Sequence, residues 1–280
     1  MQGPATEQPR KEGLAPKVGV ITEEMKALLS EWEEKTKDIN SLSCSFTRYE
    51  YDKVFAKETR SVGTIYFQNP DKGRIDFEPA GKALMALSSG HRDDQNKPFR
   101  VVAGDLTQWI CTGKWIYVLN NAAKSYDRVE IPPEMQGQNI TRSPLPFIFG
   151  MKAQDAMNRF ALRLGDMHNP DGAHLTGDGK PMRRQLHIVA NPFDPNVARE
   201  YTQAEILLNP ETFLPMSLRT IDPAGNKETV YLFDPKSLNV GGGWGLKNPF
   251  KAPALIGWQL LNDGKAEPEQ PPQQAQRAEK

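Results

Sequence analysis

The chain has 280 residues, 38% of them hydrophobic, and its 35 basic side chains balance its 35 acidic ones, so the formal net charge is zero. That balance argues against a protein that binds nucleic acid or membranes through broad electrostatic attraction. The length allows one large domain or two ordinary ones, and no apolar run approaches the ~18–20 residues that cross a bilayer.

Both ends of the chain are predicted to be disordered. Residues 1–18 combine proline, glycine and charge without periodicity, and residues 263–280 are rich in proline and glutamine. Residues 19–262 are therefore predicted to form one folded domain. The small, polar, proline-bearing start is typical of a mature protein from which a signal peptide was removed, so we expect an extracytoplasmic location.

The first element is an amphipathic helix, predicted at about residues 21–40. Thr22 is suited to cap this helix, and Glu23 and Glu24 suit the positive end of its dipole. Glutamate, lysine and aspartate occupy the polar face. The apolar face consists of Met25, Leu28, Leu29, Trp32 and Ile39.

From residue 41 the apolar period changes from 3.6 to 2, which predicts strands. Turn signals then separate further strands every eight to twelve residues, as in an antiparallel meander. Two sets of apolar residues each share one face of a predicted strand. They are Leu42, Cys44 and Phe46 in the first strand, and Ile65 and Phe67 in the second.

Later strands are predicted at about 99–112, 115–120 and 124–131. A short helix at about 152–162 interrupts them, and strands resume as far as residue 234. This order predicts an α+β fold that is mainly β, with a single curved antiparallel sheet and its helices on one face.

Cys44 and Cys111 both lie in predicted strands. In an oxidising compartment they could form a disulfide. The alternative is two small, buried hydrophobic side chains, and the sequence leaves both open.

The sequence contains no constellation of catalytic or metal-binding residues. None of its four histidines has a metal-ligand spacing with cysteine or another histidine. Its glycine-rich stretches lack the strand–loop–helix context of a phosphate-binding loop, and no G-x-S-x-G nucleophile motif occurs. We therefore predict a protein that is not an enzyme and that uses no metal or cofactor.

The predicted strand WIYVLN at 115–120 is apolar on both faces. Trp115, Tyr117 and Leu119 lie on one face, and Ile116 and Val118 on the other. A strand with one face in water should alternate apolar and polar residues. Two explanations remain open: protein segments cover both faces, or a half-barrel has its hollow face covered partly by helices and partly by an apolar ligand.

Several motifs, taken in order, resemble one family. They are GTIYF at 63–67, the turn at Pro70, RIDF at 74–77, WIYVLN after a T-G turn, SPLPFIFG at 143–150 and the hairpins of 204–234. Between about residues 20 and 235 the chain resembles the LolA-like periplasmic lipoprotein carriers, the outer-membrane lipoprotein-sorting family whose fold is shared by LolB and LppX. It departs from that pattern in the insertions 81–108 and 165–182 and in residues 236–262.

The resemblance implies a half-barrel of antiparallel strands closed by helices over an apolar cavity. It implies a periplasmic, monomeric carrier of lipids or acylated lipoproteins, with envelope membrane proteins as further partners and no nucleic acid. The alternative is an interaction or sensor module of the cell envelope whose own side chains fill the cavity. Helices would cover the second face of strand 115–120 in the empty form, and acyl chains would cover it in the loaded form.

On this layout, apolar side chains of the helix, the strands and segment 143–151 form the cavity and its displaceable covers. Arg74 would bond to backbone carbonyls of a closed cover or meet a lipid headgroup, and the alternative is an exposed strand arginine. The predicted apolar residues are Met25, Leu28, Leu29, Trp32, Phe46, Ile65, Phe67, Trp115, Tyr117, Leu119, Leu145, Phe147, Ile148 and Phe149.

Overall fold

The computed structural model describes residues 21–133, 136, 152–241, 244 and 248–264. Segments 1–18, 143–151 and 265–280, on which several sequence predictions fall, lie outside these ranges. Within the described ranges, no helix has the length and apolar character needed to cross a membrane.

The N-terminal helix, α1, spans Glu23–Thr36. As predicted, Thr22 caps it: the Met25 backbone N–H donates to the Thr22 hydroxyl oxygen at 3.2 Å. The helix ends four residues before the predicted boundary. The Thr36 hydroxyl bonds back to the Trp32 carbonyl at 2.7 Å, and the chain then turns into the first strand.

The other helices and strands are short, apart from a long first hairpin. In chain order they are β1 Ser41–Asp52, β2 Lys57–Gln68, β3 Lys72–Pro79, α2 Lys82–Met85, β4 Arg100–Ala103, β5 Thr107–Thr112, β6 Trp115–Asn120, β7 Ser125–Glu130, α3 Ala153–Arg159, β8 Phe160–Leu164, β9 Leu186–Pro192, α4 Pro195–Ala198, β10 Gln203–Leu208, β11 Pro215–Ile221, β12 Lys227–Phe233, β13 Asn239–Val240 and β14 Gln259–Gly264.

These strands join one open sheet in the order β14-β7-β6-β5-β3-β2-β1-β12-β11-β10-β9-β8. Strand β13 pairs with the start of β1, and β4 pairs with the start of β2. Neighbours are antiparallel except in the β2–β4 and β7–β14 pairs. The prediction of a mainly β fold with one mostly antiparallel sheet is confirmed. Strand β14 extends to Gly264, two residues into the predicted tail.

Strand alternation divides the sheet into two faces. Leu42, Cys44 and Phe46 of β1 pack in one buried cluster with the side chains of α1, and we call this side the helical face. Ser43 and Ser45 point the other way, to what we call the outer face. The ladder registers carry this parity from strand to strand across the sheet.

The main core lies between α1, α3 and the helical face of eight neighbouring strands, from β3 to β8 in sheet order. Eight strands at ~4.8 Å spacing span roughly 34 Å, whereas α1 is only about 21 Å long. The sheet therefore has to curve around its helices for this cluster to close. The largest fully buried members are Met25, Leu29, Trp32, Leu42, Ile65, Phe160, Ile188, Ile206, Leu208 and Leu218.

The insertion after β3 covers the outer face of the β1–β2 hairpin. Arg60 and Glu58 lie on that face as an ion pair, with side chains 3% and 2% exposed. The Arg60 guanidinium also donates to the backbone carbonyls of Leu84 and Leu87. A buried guanidinium needs such acceptors, so this pair ties the segment around α2 to the sheet.

A second insertion, the loop after β8, covers the outer face of β9. The Met167 backbone N–H donates to Nδ1 of the buried His187 at 3.0 Å, and the His187 backbone N–H donates to Nδ1 of His168 at 3.2 Å. A Cβ at Gly165 would lie 2.1 Å from the His187 ring, so the loop can approach β9 only with glycine there.

The possible disulfide between Cys44 and Cys111 is not formed, because both thiols are free and buried. They lie on the same face, but strands β2 and β3 separate β1 from β5. Three strand spacings amount to about 14 Å, whereas the Cα atoms of a disulfide lie roughly 5.5–6 Å apart. The alternative of two buried hydrophobic side chains describes these cysteines.

Two predicted elements differ from the structure. The strand predicted at 99–112 is split into β4 and β5, because the chain turns against β2 where the Gly104 N–H donates to the Arg60 carbonyl at 2.8 Å. The helix predicted at 152–162 ends at Arg159, because Phe160 already pairs with Pro192 in the β8–β9 ladder. Local pattern cannot show such long-range pairing.

Candidate apolar binding site

Helix α1 covers part of the helical face and fills the space beneath it. Its Met25, Leu29 and Trp32 side chains are each 1% exposed, and they belong to the same cluster as Phe46 and Ile65. These predicted site residues are therefore brought together, with Leu28 beside them and Phe67 packed against the cluster.

Few polar contacts hold α1 in place. The Ala153 backbone N–H at the start of α3 donates to Glu33 at 2.9 Å, and Glu24 lies 3.8 Å from His168. Apolar packing therefore provides most of the attachment of the helix, and apolar packing is the kind of contact that a hydrocarbon ligand can replace.

An aromatic group lines the helical face next to α1. The Phe46 ring meets Phe77 and Tyr231 edge to face, with centroids 5.5 and 5.4 Å apart. Gly63 makes room for it: a Cβ there would lie 2.6 Å from the Phe46 ring and 2.0 Å from the Asp76 carbonyl oxygen. This explains the glycine of the GTIYF motif.

Arg48 follows these aromatic rings along the helical face. Its guanidinium lies 4.2 Å from the Phe77 ring centroid, and its Nη2 donates to Glu50 at 2.7 Å. Burial raises the pKa of the Tyr231 hydroxyl, and the neighbouring Arg48 charge opposes that rise. The Arg48–Glu50 ion pair thus lies beside the aromatic rings of this face.

Two buried N–H donors at this face are unused. Trp32 Nε1 and Arg48 Nε are buried and have no partner among the described residues. A buried donor without a partner costs about 1–3 kcal/mol. Each is a place where a ligand oxygen would be stabilised.

The apolar surface of the helical face continues beyond the region that packs against α1. Register places Trp109 opposite Ile75, Val118 opposite Trp109, and Val129 opposite Ile116. Trp109 and Val129 are each 44% exposed, whereas Ile75 belongs to the core. We call Trp109, Ile116, Val118 and Val129 the apolar strip.

The other predicted strand residues lie on the outer face instead. Tyr117 and Leu119 are buried there, and Trp115 packs against them. Leu255 and Trp258 of the C-terminal segment cover them, so the prediction that Trp115, Tyr117 and Leu119 line a cavity beneath the helices is wrong. The pairing register of β5 and β6 places Trp115, Tyr117 and Leu119 on the side of the sheet that faces away from α1.

Arg74 also lies on the outer face, away from α1. Its Nε bonds to Asp76 at 2.8 and 3.0 Å, and its Nη1 donates to the Pro249 carbonyl at 3.2 Å. Arg74 therefore holds a backbone carbonyl of a covering segment, and that segment is the C-terminal one.

A groove of about 570 Å³ opens on the outer face between the covering segments. Polar side chains such as Ser45, Thr47, Thr64 and Glu78 line much of it, with Leu232 beside them. Its lining mixes these polar groups with apolar ones such as Val62 and Leu232, whereas the apolar strip is formed by apolar side chains alone. The strip is therefore the better candidate surface for an acyl chain.

Four predicted apolar residues of segment 143–151 fall on a part of the chain that is not described. Leu145, Phe147, Ile148 and Phe149 lie outside the described residues. Within the described part of the chain, no group of three or more histidine, cysteine, aspartate or glutamate side chains is arranged to hold a metal ion.

Sequence reasoning missed the covering role of the C-terminal segment. Trp244 packs edge to face on Tyr66 and on Phe250, and Trp258 completes the cover of β6. The signal was the recurrence of large aromatic residues in a stretch that is otherwise rich in glycine and proline. Arg48 was also missed, although it continues the alternating face of β1.

Comparison with known proteins finds only distant structural similarity. No protein-family profile and no curated protein matches the chain. LprF from Mycobacterium bovis matches at a TM-score of 0.36 and 15% identity, over 82% of this chain and 99% of that one. A LolA superfamily protein from Nitrosomonas europaea matches at 0.33 and 9%, over 77% and 94%.

The MucA/MucB complex of Pseudomonas aeruginosa is a further match, at a TM-score of 0.37 and 14% identity, over 81% of this chain and 62% of that one. All of these matches are weak, with TM-scores below 0.5 and identities below 25%. At these identities no residue role is carried across, and the candidate site rests on the contacts described above.

Proposed function

We propose that this protein binds the acyl chains of lipids or lipoproteins on its helical face, without catalysis. The observation that carries the proposal is the apolar strip, which continues the core under α1 and leaves Trp109 and Val129 each 44% exposed. An amphiphile lying on the strip could extend beneath α1 by displacing the helix.

The energies of such an exchange are comparable. Burying a chain of about sixteen carbons gains roughly 13 kcal/mol at ~0.8 kcal/mol per CH₂ group. Removing the four buried side chains of α1 from the core costs about 1.5–3 kcal/mol each, or roughly 6–12 kcal/mol together. Acyl chains that replace α1 would therefore bind reversibly, as a carrier requires.

Polar atoms of the same face suit the head of an amphiphile. Trp32 Nε1 and Arg48 Nε are buried donors without partners, and the Arg48 cation lies beside the aromatic rings. An ester carbonyl or phosphate oxygen would satisfy either donor. We assign the headgroup role to Arg48, since Arg74 lies on the other face.

A pair of variants tests the proposal. Trp109 and Leu232 are each 44% exposed but lie on opposite faces of the sheet. We expect Trp109→Asp to weaken binding of a fluorescent fatty-acid probe at least tenfold, because a carboxylate replaces apolar contact area. Leu232→Asp, the matched control, should bind like the wild type. Equal probe affinity in all three proteins would rule out the apolar strip as the site.

A second function is an interaction or sensor module whose cavity its own side chains fill. The filled core beneath α1 favours it, since Met25 and Trp32 are each 1% exposed. Native mass spectrometry separates the two functions. Co-purified lipid would support carriage, whereas a lipid-free protein that does not bind the fatty-acid probe would support the sensor.

For either function we propose an extracytoplasmic monomer, which light scattering should find at 31.4 kDa.

A further inference from the structure

The tip of the β1–β2 hairpin exposes two adjacent apolar side chains. Val54 is 64% exposed and Phe55 is 71% exposed. They lie at the end of two paired twelve-residue strands, the longest of the described part of the sheet. We call residues 53–56 the hairpin tip.

Backbone hydrogen bonds hold the hairpin tip in one conformation. The Lys53 N–H donates to the Asn226 carbonyl at 2.9 Å, and the Ala56 carbonyl accepts from Arg100 N–H at 2.8 Å. The Phe55 N–H donates to the Asp52 carboxylate at 3.1 Å. The two apolar side chains are thus presented to solvent by a fixed turn, and exposed apolar groups on a fixed support indicate a contact surface.

Basic side chains surround the hairpin tip. Lys53 and Lys57 flank the apolar pair in sequence, and Lys57 is paired in register with the exposed Arg100 of β4. Lys227, 66% exposed at the start of β12, lies across from Asp52 in the β1–β12 ladder.

The acidic neighbours do not cancel this charge at the surface. Asp52 lies 3.9 Å from Lys227, and the buried Glu58 and Glu228 are bonded to Arg60 and Arg219, so none of these three carboxylates is paired with Lys53, Lys57 or Arg100. Asp222, which accepts the Lys227 backbone N–H, contributes one negative charge against the three of Lys53, Lys57 and Arg100. The end of the hairpin is therefore basic at its surface, although the whole chain has zero net charge.

We propose that the hairpin tip docks the protein on an anionic lipid surface. Val54 and Phe55 would enter the boundary between headgroups and acyl chains, while the surrounding basic side chains meet lipid phosphates. A protein partner fits less well, because a specific interface buries about 800 Å² on each side, whereas the tip is a single turn of four residues.

The hairpin tip is separate from the proposed acyl-chain site, but docking would favour acyl-chain binding there. Arg48 precedes Asp52 by four residues along β1, or about 13 Å at ~3.3 Å per residue. A docked tip thus brings the Arg48 end of the helical face close to the membrane. A lipid leaving the bilayer would meet that end first.

Vesicle flotation tests the docking. We expect the full chain to float with vesicles of phosphatidylglycerol and phosphatidylethanolamine, and not with phosphatidylcholine alone. The double variant Val54→Ser/Phe55→Ser should lower the bound fraction at least tenfold, and Lys53→Gln/Lys57→Gln should do so at low salt. Leu175→Ser is the matched control, since Leu175 is 60% exposed in a different loop.

Two results would overturn the docking: a wild-type chain that stays unbound to anionic vesicles, or a serine double variant that floats equally well. Unchanged urea unfolding of each variant shows that folding is intact. The serine double variant should bind the fatty-acid probe like the wild type. Loss of flotation with retained probe binding separates membrane docking from the proposed acyl-chain site.

Discussion

At the scale of single residues, glycine and histidine positions set how closely segments approach the sheet. Gly63 lets the Phe46 ring cross β2, and Gly165 lets a loop close over His187. Both contacts depend on the absence of a side chain. The strand pattern identifies neither contact, because alternation shows which face a residue occupies and not what lies across from it.

Gly63→Ala should destabilise the protein. Its new methyl group would overlap the Phe46 ring and the Asp76 carbonyl, and overpacking of this kind costs about 1–3 kcal/mol. Urea unfolding should show the loss. Gly81→Ala is the control, because no atom lies within 4 Å of a Cβ there. A Gly63→Ala midpoint equal to that of the control would contradict the packing around Phe46.

The pH dependence of stability should contain a contribution from His187. Burial lowers the pKa of His187, and Arg163 and His168 act in the same direction, whereas Glu205 and Asp166 oppose them. Below the ordinary histidine pKa of about 6.5, His187 binds a proton in the unfolded chain but stays neutral in the folded chain. The contribution of neutral His187 to the free energy of unfolding is complete above that pH and is lost as the pH falls below it.

Urea unfolding between pH 7.5 and 5.5 checks this sign. The wild type should lose stability over that interval, and His187→Gln should lose less. His174→Gln, at an exposed position of the same loop, should keep the wild-type slope. A steeper slope in His187→Gln than in the wild type would mean that His187 is stabilised in its charged form.

At the scale of elements, two different kinds of segment cover the two faces of the sheet. Helix α1 covers the helical face mainly through apolar packing. The C-terminal segment covers the outer face through aromatic rings and two polar contacts. Arg74 donates to the Pro249 carbonyl, and Arg128 forms a bidentate salt bridge with Asp263 at 2.7 and 2.8 Å. Directed polar bonds make the C-terminal cover a fixed part of the fold.

Trp258→Ala should therefore lower stability by about 1–3 kcal/mol, because it removes apolar cover from Tyr117 and Leu119. Thermal unfolding measures the loss. Ile256→Ala should have no measurable effect, since Ile256 is 97% exposed. Probe binding should survive in both variants, because the proposed site is on the other face. Loss of binding in Trp258→Ala alone would place the site on the outer face.

At the scale of the whole molecule, one open sheet separates two environments. The helical face combines a filled core with an exposed apolar strip, whereas the outer face carries three covering segments and a groove of mixed lining. The hairpin tip extends from one end of the sheet with Val54 and Phe55 exposed. The proposed lipid-binding face and the proposed membrane-docking tip are thus compatible within one sheet.

The sequence by itself determined the parts of this protein that depend on local periodicity. The capped helix α1, the alternation of β1 and β2, and the mainly β character all follow from neighbours within one element. These signals need no knowledge of which strands pair.

Only the tertiary structure decided which face each apolar residue occupies and what covers it. Strand β6 is apolar on both sides, so its pattern could not show that Trp115, Tyr117 and Leu119 lie on the side of the sheet that faces away from α1. Pairing between distant strands sets that parity, and a shift of one residue would reverse it. The same pairing separates Cys44 from Cys111 by two strands. Contacts between residues far apart in sequence leave no periodic signal within either segment.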